Sequence, residues 1–349
     1  MSMISDTKPH ASTPSRYVLD EDFSDSPGRE ADVGQIVFAQ FGVQGPKADS
    51  GQQFIKDLRR LFSFEHGPRR IERCHHWDAA GHHEDILMAY WMETEEYGKW
   101  LELPEVSSWW NNLPLTGELG YWKEVLSPDT DRFGFLGFGL NEKRRVGCIH
   151  AVRSKATEKF GYWGGYRDRF AASKTDKFEP EFALSKSPLQ LKETKGRRVN
   201  VHLPKNICFV REGAETTHVS PQEREGWEKR VKPVFDKWIA YLRDNPSLSG
   251  AVCLRDTMEQ NIDTGADYEK HNTLIYFVSL RHMERAARTQ PSHVALYNSY
   301  MGMMTDLGAA SVIPEMMIWA EAHIISRESV EAEYVNCHNR TGLMPYFMT

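Results

Sequence analysis

The chain has 349 residues and a formal charge of −6, which leaves room for a cofactor-sized pocket within one large or two medium-sized units. Acids and bases are interspersed, without the polybasic run that follows a phosphate backbone, so nucleic acid is excluded as an expected partner. The five scattered cysteines include no Cys-x-x-Cys pair, which fits reduced thiols in the cytoplasm, and no apolar run reaches the ~18 residues of a membrane span.

Residues 1–32 are polar and rich in Pro, Ser and Asp, lack the pattern of a signal peptide, and are expected to form a mobile leader. Residues 33–349 are expected to form a single body. Within it, residues 36–41 read as a buried strand, and Phe54, Ile55, Leu58, Leu61 and Phe62 mark the apolar face of a helix. The stretch from Cys74-His75-His76 to His82-His83-Glu84-Asp85 invites a metal reading. Adjacent strand residues point to opposite faces, however, and residues 77–81 read as a polar hairpin, so a solvated loop is expected. Residues 86–91 form the next strand, and Thr94 followed by Glu95 and Glu96 opens a short helix.

A connecting segment over residues 126–199 is expected to line the pocket. It contains Gly161-Tyr162-Trp163-Gly164-Gly165-Tyr166-Arg167-Asp168-Arg169-Phe170. Glycines admit close backbone approach, aromatics supply rigid walls, and Arg167 and Arg169 stay charged at neutral pH. The same residues would also suit a Gly-rich turn whose arginines pair with Asp168 and neighbouring acids.

In the second half, residues 207–210 read as a strand. Ser220-Pro221-Gln222-Glu223 is a capping box with proline at the first helical position. The helix that follows shows a face of Val231, Val234, Phe235, Trp238, Tyr241 and Leu242, interrupted by Pro233. Residues 273–278 form a strand, a short helix runs to Thr289, and residues 316–325 form a last apolar strand. The order repeats that of the first half: Tyr90-Trp91, a short helix and Pro104 are matched by Tyr276-Phe277, a short helix and Pro291. This predicts an α+β fold of tandem ferredoxin-like repeats, about residues 33–125 and 200–345. Their sheets would form a core of the dimeric α+β-barrel type with the helices outside.

No Walker loop, His-Glu-x-x-His, Gly-x-Ser-x-Gly or clean Gly-x-Gly-x-x-Gly is present. His293 stands where the first repeat has Val106. It precedes Leu296, Tyr297, Tyr300, Met301, Met303 and Met304, a soft apolar set. A helix packed into the core explains those residues; a single imidazole with that surround is also what a non-covalent haem requires. Without Cys-x-x-Cys-His such a haem would be of the b type.

Several short motifs in fixed order resemble one family. They are Phe41-Gly42-Val43-Gln44, Tyr90-Trp91, Trp109-Trp110, Gly120-Tyr121-Trp122-Lys123-Glu124, Gly161 to Arg169, Leu242-Arg243-Asp244-Asn245, Asn261-Ile262-Asp263, Pro291-Ser292-His293, and Glu333-Tyr334-Val335-Asn336-Cys337-His338 with Thr341-Gly342. From about Gln35 to Leu343 the chain resembles the haem-containing aldoxime dehydratases, including those called phenylacetaldoxime dehydratase. Glu212 and Met317-Ile318-Trp319 look closest to the fungal branch. The resemblance implies a carbon-nitrogen lyase that uses ferrous haem b to convert an aldoxime, R-CH=N-OH, to a nitrile and water. It implies that His293 is the proximal iron ligand, that Arg169 is the pocket arginine, and that Glu212 stands where bacterial members carry a serine that holds the oxime hydroxyl.

One departure concerns the distal acid, because the histidine that bacterial members carry in the final strand is replaced by Ala320. Glu212, if burial raises its pKa, is the favoured substitute. His323 brought round by a bulge, or water, are the alternatives. A haem-binding relative without dehydratase activity and a peroxidase-like enzyme are the competing functions on such a scaffold. A homodimer would suit it.

Overall fold

The computed structural model describes residues 35–138, 146–147, 167, 170–181 and 192–348. The expected leader and Arg169 therefore lie outside the described residues, as does most of the glycine- and aromatic-rich segment around that arginine.

The first half begins with β1 (Val37–Gly45), buried along its whole length. Helix α1 (Gln52–Phe62) follows, burying the five apolar residues that its 3.6-residue period selects. β2 (Arg70–Trp77) and β3 (His83–Trp91) form a hairpin. α2 (Thr94–Glu102) and α3 (Pro104–Asn111) lead to β4 (Gly120–Leu126), with Pro104 in the first turn of α3, where its missing N–H costs nothing. β5 (Phe133–Phe138) and β6 (Arg198–Asn200) flank the connecting segment.

The second half begins with β7 (Ile207–Glu215) and α4 (Pro221–Gly226). A π-helical turn, Trp227–Val231, joins α4 to α5 (Lys232–Asp244). The turn widens just before Pro233, whose ring has no N–H to give and crowds the carbonyl one turn back. β8 (Ala251–Gln260), β9 (Asp267–Phe277), α6 (Leu280–Thr289), α7 (Pro291–Ala309), β10 (Met317–Ile325) and β11 (Val330–Val335) follow, with short helical turns at Pro246–Ser249 before β8 and Met344–Phe347 after β11.

The strands make one antiparallel sheet, β5-β10-β7-β9-β8-β2-β3-β1-β4-β11-β6. In each half the elements run strand, helix, strand, strand, helix, strand. The strands lie in the order fourth, first, third, second: β4-β1-β3-β2 and β10-β7-β9-β8. The halves join where residues 73–75 of β2 pair with residues 258–260 of β8. One face of the sheet lines a shared interior of Phe38, Tyr90, Trp122, Phe209, Tyr276 and Tyr334. The other face carries α1 to α3 in the first half and α4 to α7 in the second. Among the described residues no helix is long and apolar enough to cross a membrane.

One pairing recurs in both halves. Gly42 pairs with Trp122 and Gly213 with Trp319, and in each pair the indole fills the space a glycine side chain would need. An added Cβ would come within 2.1 Å of Trp122 at Gly42 and 2.3 Å of Trp319 at Gly213. Gly42→Ala is accordingly expected to cost roughly 1–3 kcal/mol by overpacking. A thermal melt should show the lower midpoint, while any bound cofactor is retained because Gly42 is in the first half.

The interior also holds buried ions. Arg211, fully buried, donates to Glu72 at 2.6 Å, Glu259 at 2.8 Å and the Tyr90 hydroxyl at 2.7 Å, and that hydroxyl donates to Glu321 at 2.8 Å. Arg255 forks onto Glu124 at 2.6 and 2.9 Å and covers the Trp122 ring. Such pairs tie β2, β3, β7, β8 and β10 in one register, since removing one partner strands a buried charge.

Two expectations need correction. The turn at 77–81 is present, but His83, Glu84 and Asp85 are buried rather than solvated, because β3 is an inner strand on which Arg73 pairs with Asp85 and His76 hydrogen-bonds to Glu84. The capping box is half formed. Ser220 Oγ accepts from the Glu223 N–H at 3.2 Å, whereas the Glu223 carboxylate is buried and accepts from the N–H groups of Glu315 and Met316, both at 2.9 Å. It tethers the approach to β10 instead of closing its own box.

Candidate active site

Side-chain alternation on β7 sends Val210, Glu212 and Ala214 to the helix side of the sheet and Phe209 and Arg211 to the interior. On β10, Ile318, Ala320 and Ala322 share the helix side. Between this face and the helices lies a cavity enclosing about 740 Å³ of unfilled space, mouth included. Glu212 and Ala214 form part of its floor, Trp227 and Val231 of the π-helical turn and Phe235 one wall, and His293, Leu296, Tyr297 and Tyr300 of α7 another.

The cavity exists because the second half lacks bulk that the first half has. The register that pairs Phe41 with Leu87 and Lys123 pairs Glu212 with Thr273 and Ala320. Phe41 is packed edge-on against Phe62, Trp100 and Trp110, and Val106 is buried beside them. In the second half the corresponding places hold a carboxyl, an alanine and an imidazole.

His293 is half-buried in the first turn of α7, set there by Pro291 at the helix start. Its ring packs edge-on against Trp238 at 4.8 Å between centroids. Burial pushes its pKa down to about 4, although a hydrogen bond with the Ala287 carbonyl opposes the shift. The imidazole is therefore neutral at pH 7 and keeps a lone pair for a metal, while the carbonyl orients the ring as an outer partner of a ligand histidine does.

Glu212 lines the same cavity. Burial raises its carboxyl pKa from 4.5 to about 7, against the hydrogen bond donated by Thr273 Oγ1 at 3.3 Å. The Trp238 indole N–H is directed at the same carboxyl but falls short of full hydrogen-bond geometry. At neutral pH this group holds a transferable proton in a largely apolar site, which is the condition for a general acid.

The other residues singled out in the sequence are distributed as follows. Ala320 is the direct strand partner of Glu212. His323 is not brought round by a bulge: β10 pairs with β7 without interruption from Met317 to Ile325. That register leaves His323 fully buried in the interior, ringed by Phe38, Phe133 and Phe209. Arg167 stands away from the cavity, bonded to Glu284 and the Lys177 carbonyl. Met303 is buried in the packing of α7 against α4. Thr273 and Trp238, which hold Glu212 and His293, carry no motif; period-two alternation back from Ile275 was the available signal for Thr273.

A neutral imidazole, aromatic and aliphatic walls, and a buried carboxyl on the lining of one cavity fit a flat, largely apolar macrocycle whose iron takes a nitrogen ligand. The donor set suits haem, and the fold and cavity define a haem-binding α+β protein. The chain belongs to the family described as haem-containing dehydratase, whose model matches residues 39–343. It is 31% identical over 318 residues to the phenylacetaldoxime dehydratase of Bacillus sp. (strain OxB-1), an alignment covering 90% of this chain and 89% of that protein. It is 27% identical to the aliphatic aldoxime dehydratase of Pseudomonas chlororaphis, with 89% and 87% covered. Its backbone is similar to that of a crystallised aldoxime dehydratase in complex with butyraldoxime, with a TM-score of 0.81, 25% identity, and 92% of this chain and 89% of that one covered.

Proposed function

We propose that the protein is a haem b-dependent aldoxime dehydratase, a lyase that removes water from R-CH=N-OH to give R-C≡N. The single observation that carries the reading is the placement of a neutral imidazole and a proton-bearing carboxyl on the lining of one largely apolar cavity, in a chain of the haem-containing dehydratase family. When bound, ferrous haem b supplies the iron to which the oxime nitrogen coordinates, weakening the N–O bond.

The chain's own residues supply the rest. His293 would hold the iron from the proximal side, kept neutral by burial and oriented by the Ala287 carbonyl. Glu212 would deliver its proton to the departing hydroxyl oxygen, since hydroxide is a poor leaving group unless protonated. The carboxylate so formed can accept the C–H proton, so substrate and product balance without an outside acid. The apolar walls exclude water and keep the carboxyl protonated near neutral pH. Arg169 is assigned to hold the oxime hydroxyl or its acid partner. Arg169→Ala is expected to keep the Soret band and lower kcat; unchanged kinetics would remove it from the mechanism.

The deciding experiment is anaerobic. Protein reduced with dithionite is mixed with an aliphatic or an aryl aldoxime and assayed for nitrile. Nitrile from reduced protein alone supports the reading, and a haem spectrum without nitrile from either substrate overturns it.

The finer architecture belongs with this proposal. We infer two ferredoxin-like units in tandem, supported by the shared strand order and by the glycine–tryptophan pairs at matched positions. The four described cysteines, buried and unpaired, favour a reducing cytoplasm. Sedimentation of the holoenzyme would test the homodimer.

A further inference from the structure

The histidine-rich hairpin is left unused by the proposed chemistry, and its partner comes from the far end of the chain. His338, after β11, brings its Nε2 to 2.7 Å from Asp78 Oδ2 and stacks its ring on that of His82 at 4.7 Å between centroids. His82 Nδ1 lies 3.9 Å from Asp78 Oδ1 and is buried with no hydrogen-bond partner. The three ligand atoms lie within 4.8 Å of one another.

We propose that Asp78, His82 and His338 form a site for a divalent cation of the zinc type, clasping the β2–β3 hairpin to the segment that follows β11. Two imidazoles and one carboxylate, with water in the remaining position, are a donor set this ion accepts, and they disfavour calcium and magnesium, which demand oxygen.

The local structure prepares each ligand. The N–H groups of Ala80 and His82 both donate to Asp78 Oδ1 at 2.8 Å, fixing the carboxylate, and those bonds with His338 hold its pKa below the usual range against burial. Those two bonds occupy Oδ1, whereas Oδ2 meets only His338 and keeps a lone pair for a metal. His82 Nδ1, buried and without a hydrogen-bond partner, is the nitrogen open to a metal. Glu84 and Glu193 lie near enough to favour a cation, and Lys195 opposes one. Binding has a cost at His338. The Arg340 N–H donates to its Nδ1 at 3.2 Å, so the proton of the free ring resides on Nε2 and faces Asp78. A metal at Nε2 moves that proton to Nδ1, where it faces the Arg340 N–H, so binding loosens the Arg340 contact.

The alternative is a clasp made by the His338–Asp78 hydrogen bond alone. The test uses tag-free holoenzyme, dialysed against chelator and titrated with zinc chloride by calorimetry. One equivalent beyond the haem iron is expected, together with a higher unfolding midpoint in zinc. Both should be lost in His82→Ala and in His82→Gln, which retains polarity and most of the bulk. The loss of affinity should exceed the roughly 10- to 100-fold caused by removing an outer-shell partner. His202→Ala, at an exposed histidine elsewhere, should change neither. No zinc bound, or an equivalent bound undiminished by both His82 substitutions, overturns the site. None of these readouts depends on dehydratase activity.

Discussion

His293→Ala is expected to give a folded protein that no longer holds haem, with the Soret band reduced to background after purification and reconstitution. The reasoning starts from the helix. Pro291 fixes where α7 begins, and the third residue of that first turn faces the cavity beside Trp238. The side chain is only half-buried and its neighbours are apolar, so truncation leaves a hole without stranding a charge. What is lost is the only imidazole known from the described residues to combine a cavity position with a pKa pressed well below neutrality. The apolar walls alone would offer the haem iron no imidazole. Free imidazole added to the buffer should restore part of the band, because it fits the space the side chain vacated. A variant with full Soret absorbance would show that another group ligates the iron.

Glu212→Gln is expected to keep haem and lose turnover by roughly 10²- to 10⁴-fold, the usual contribution of a positioned acid. The amide preserves shape and can still accept from Thr273, so a fall in kcat with the haem spectrum unchanged isolates the proton. The pH dependence adds a second signature. With a pKa of about 7, the acid form is half-populated at pH 7. The rate should then fall about tenfold per unit above that value where the proton limits turnover. The glutamine variant should lack this alkaline limb. The same shift has a sign in folding: the folded pKa of about 7 exceeds the ordinary 4.5, so the folded protein binds this proton more tightly than the unfolded chain. The group's contribution to stability is fully present below pH 4.5 and is lost as pH rises through 7. A wild-type rate flat from pH 6 to 9 would exclude Glu212 as the acid.

Much of this site was legible through short motifs that resemble one family, which singled out His293 and Glu212. The strand read over residues 207–210 stopped short of the carboxyl, which the structure carries on β7 because the strand runs on to Glu215. Pro233 announced an interruption, and the structure shows it as a π-helical turn whose residues line the cavity. What escaped depended on distance along the chain. The clasp of Asp78 by His338 joins residues 260 positions apart. Burial of His83 to Asp85 follows from the sheet order, which puts β3 between β2 and β1. His323 illustrates the same limit: its spacing from Ala320 indicated the opposite face, but its aromatic surround comes from β1, β5 and β7.

The sheet gives its two faces different duties, and this has a consequence for how the enzyme can change. Buried ions and interlocked indoles occupy the interior, where almost any substitution strands a charge or a ring. The cavity lies on the far side, with the small residue Ala214 in its floor. Exchanges there alter the shape presented to a guest without touching the seam between the halves. The catalytic face is therefore free to drift while the structural face stands still, so libraries confined to the cavity floor should yield many folded variants of altered substrate range.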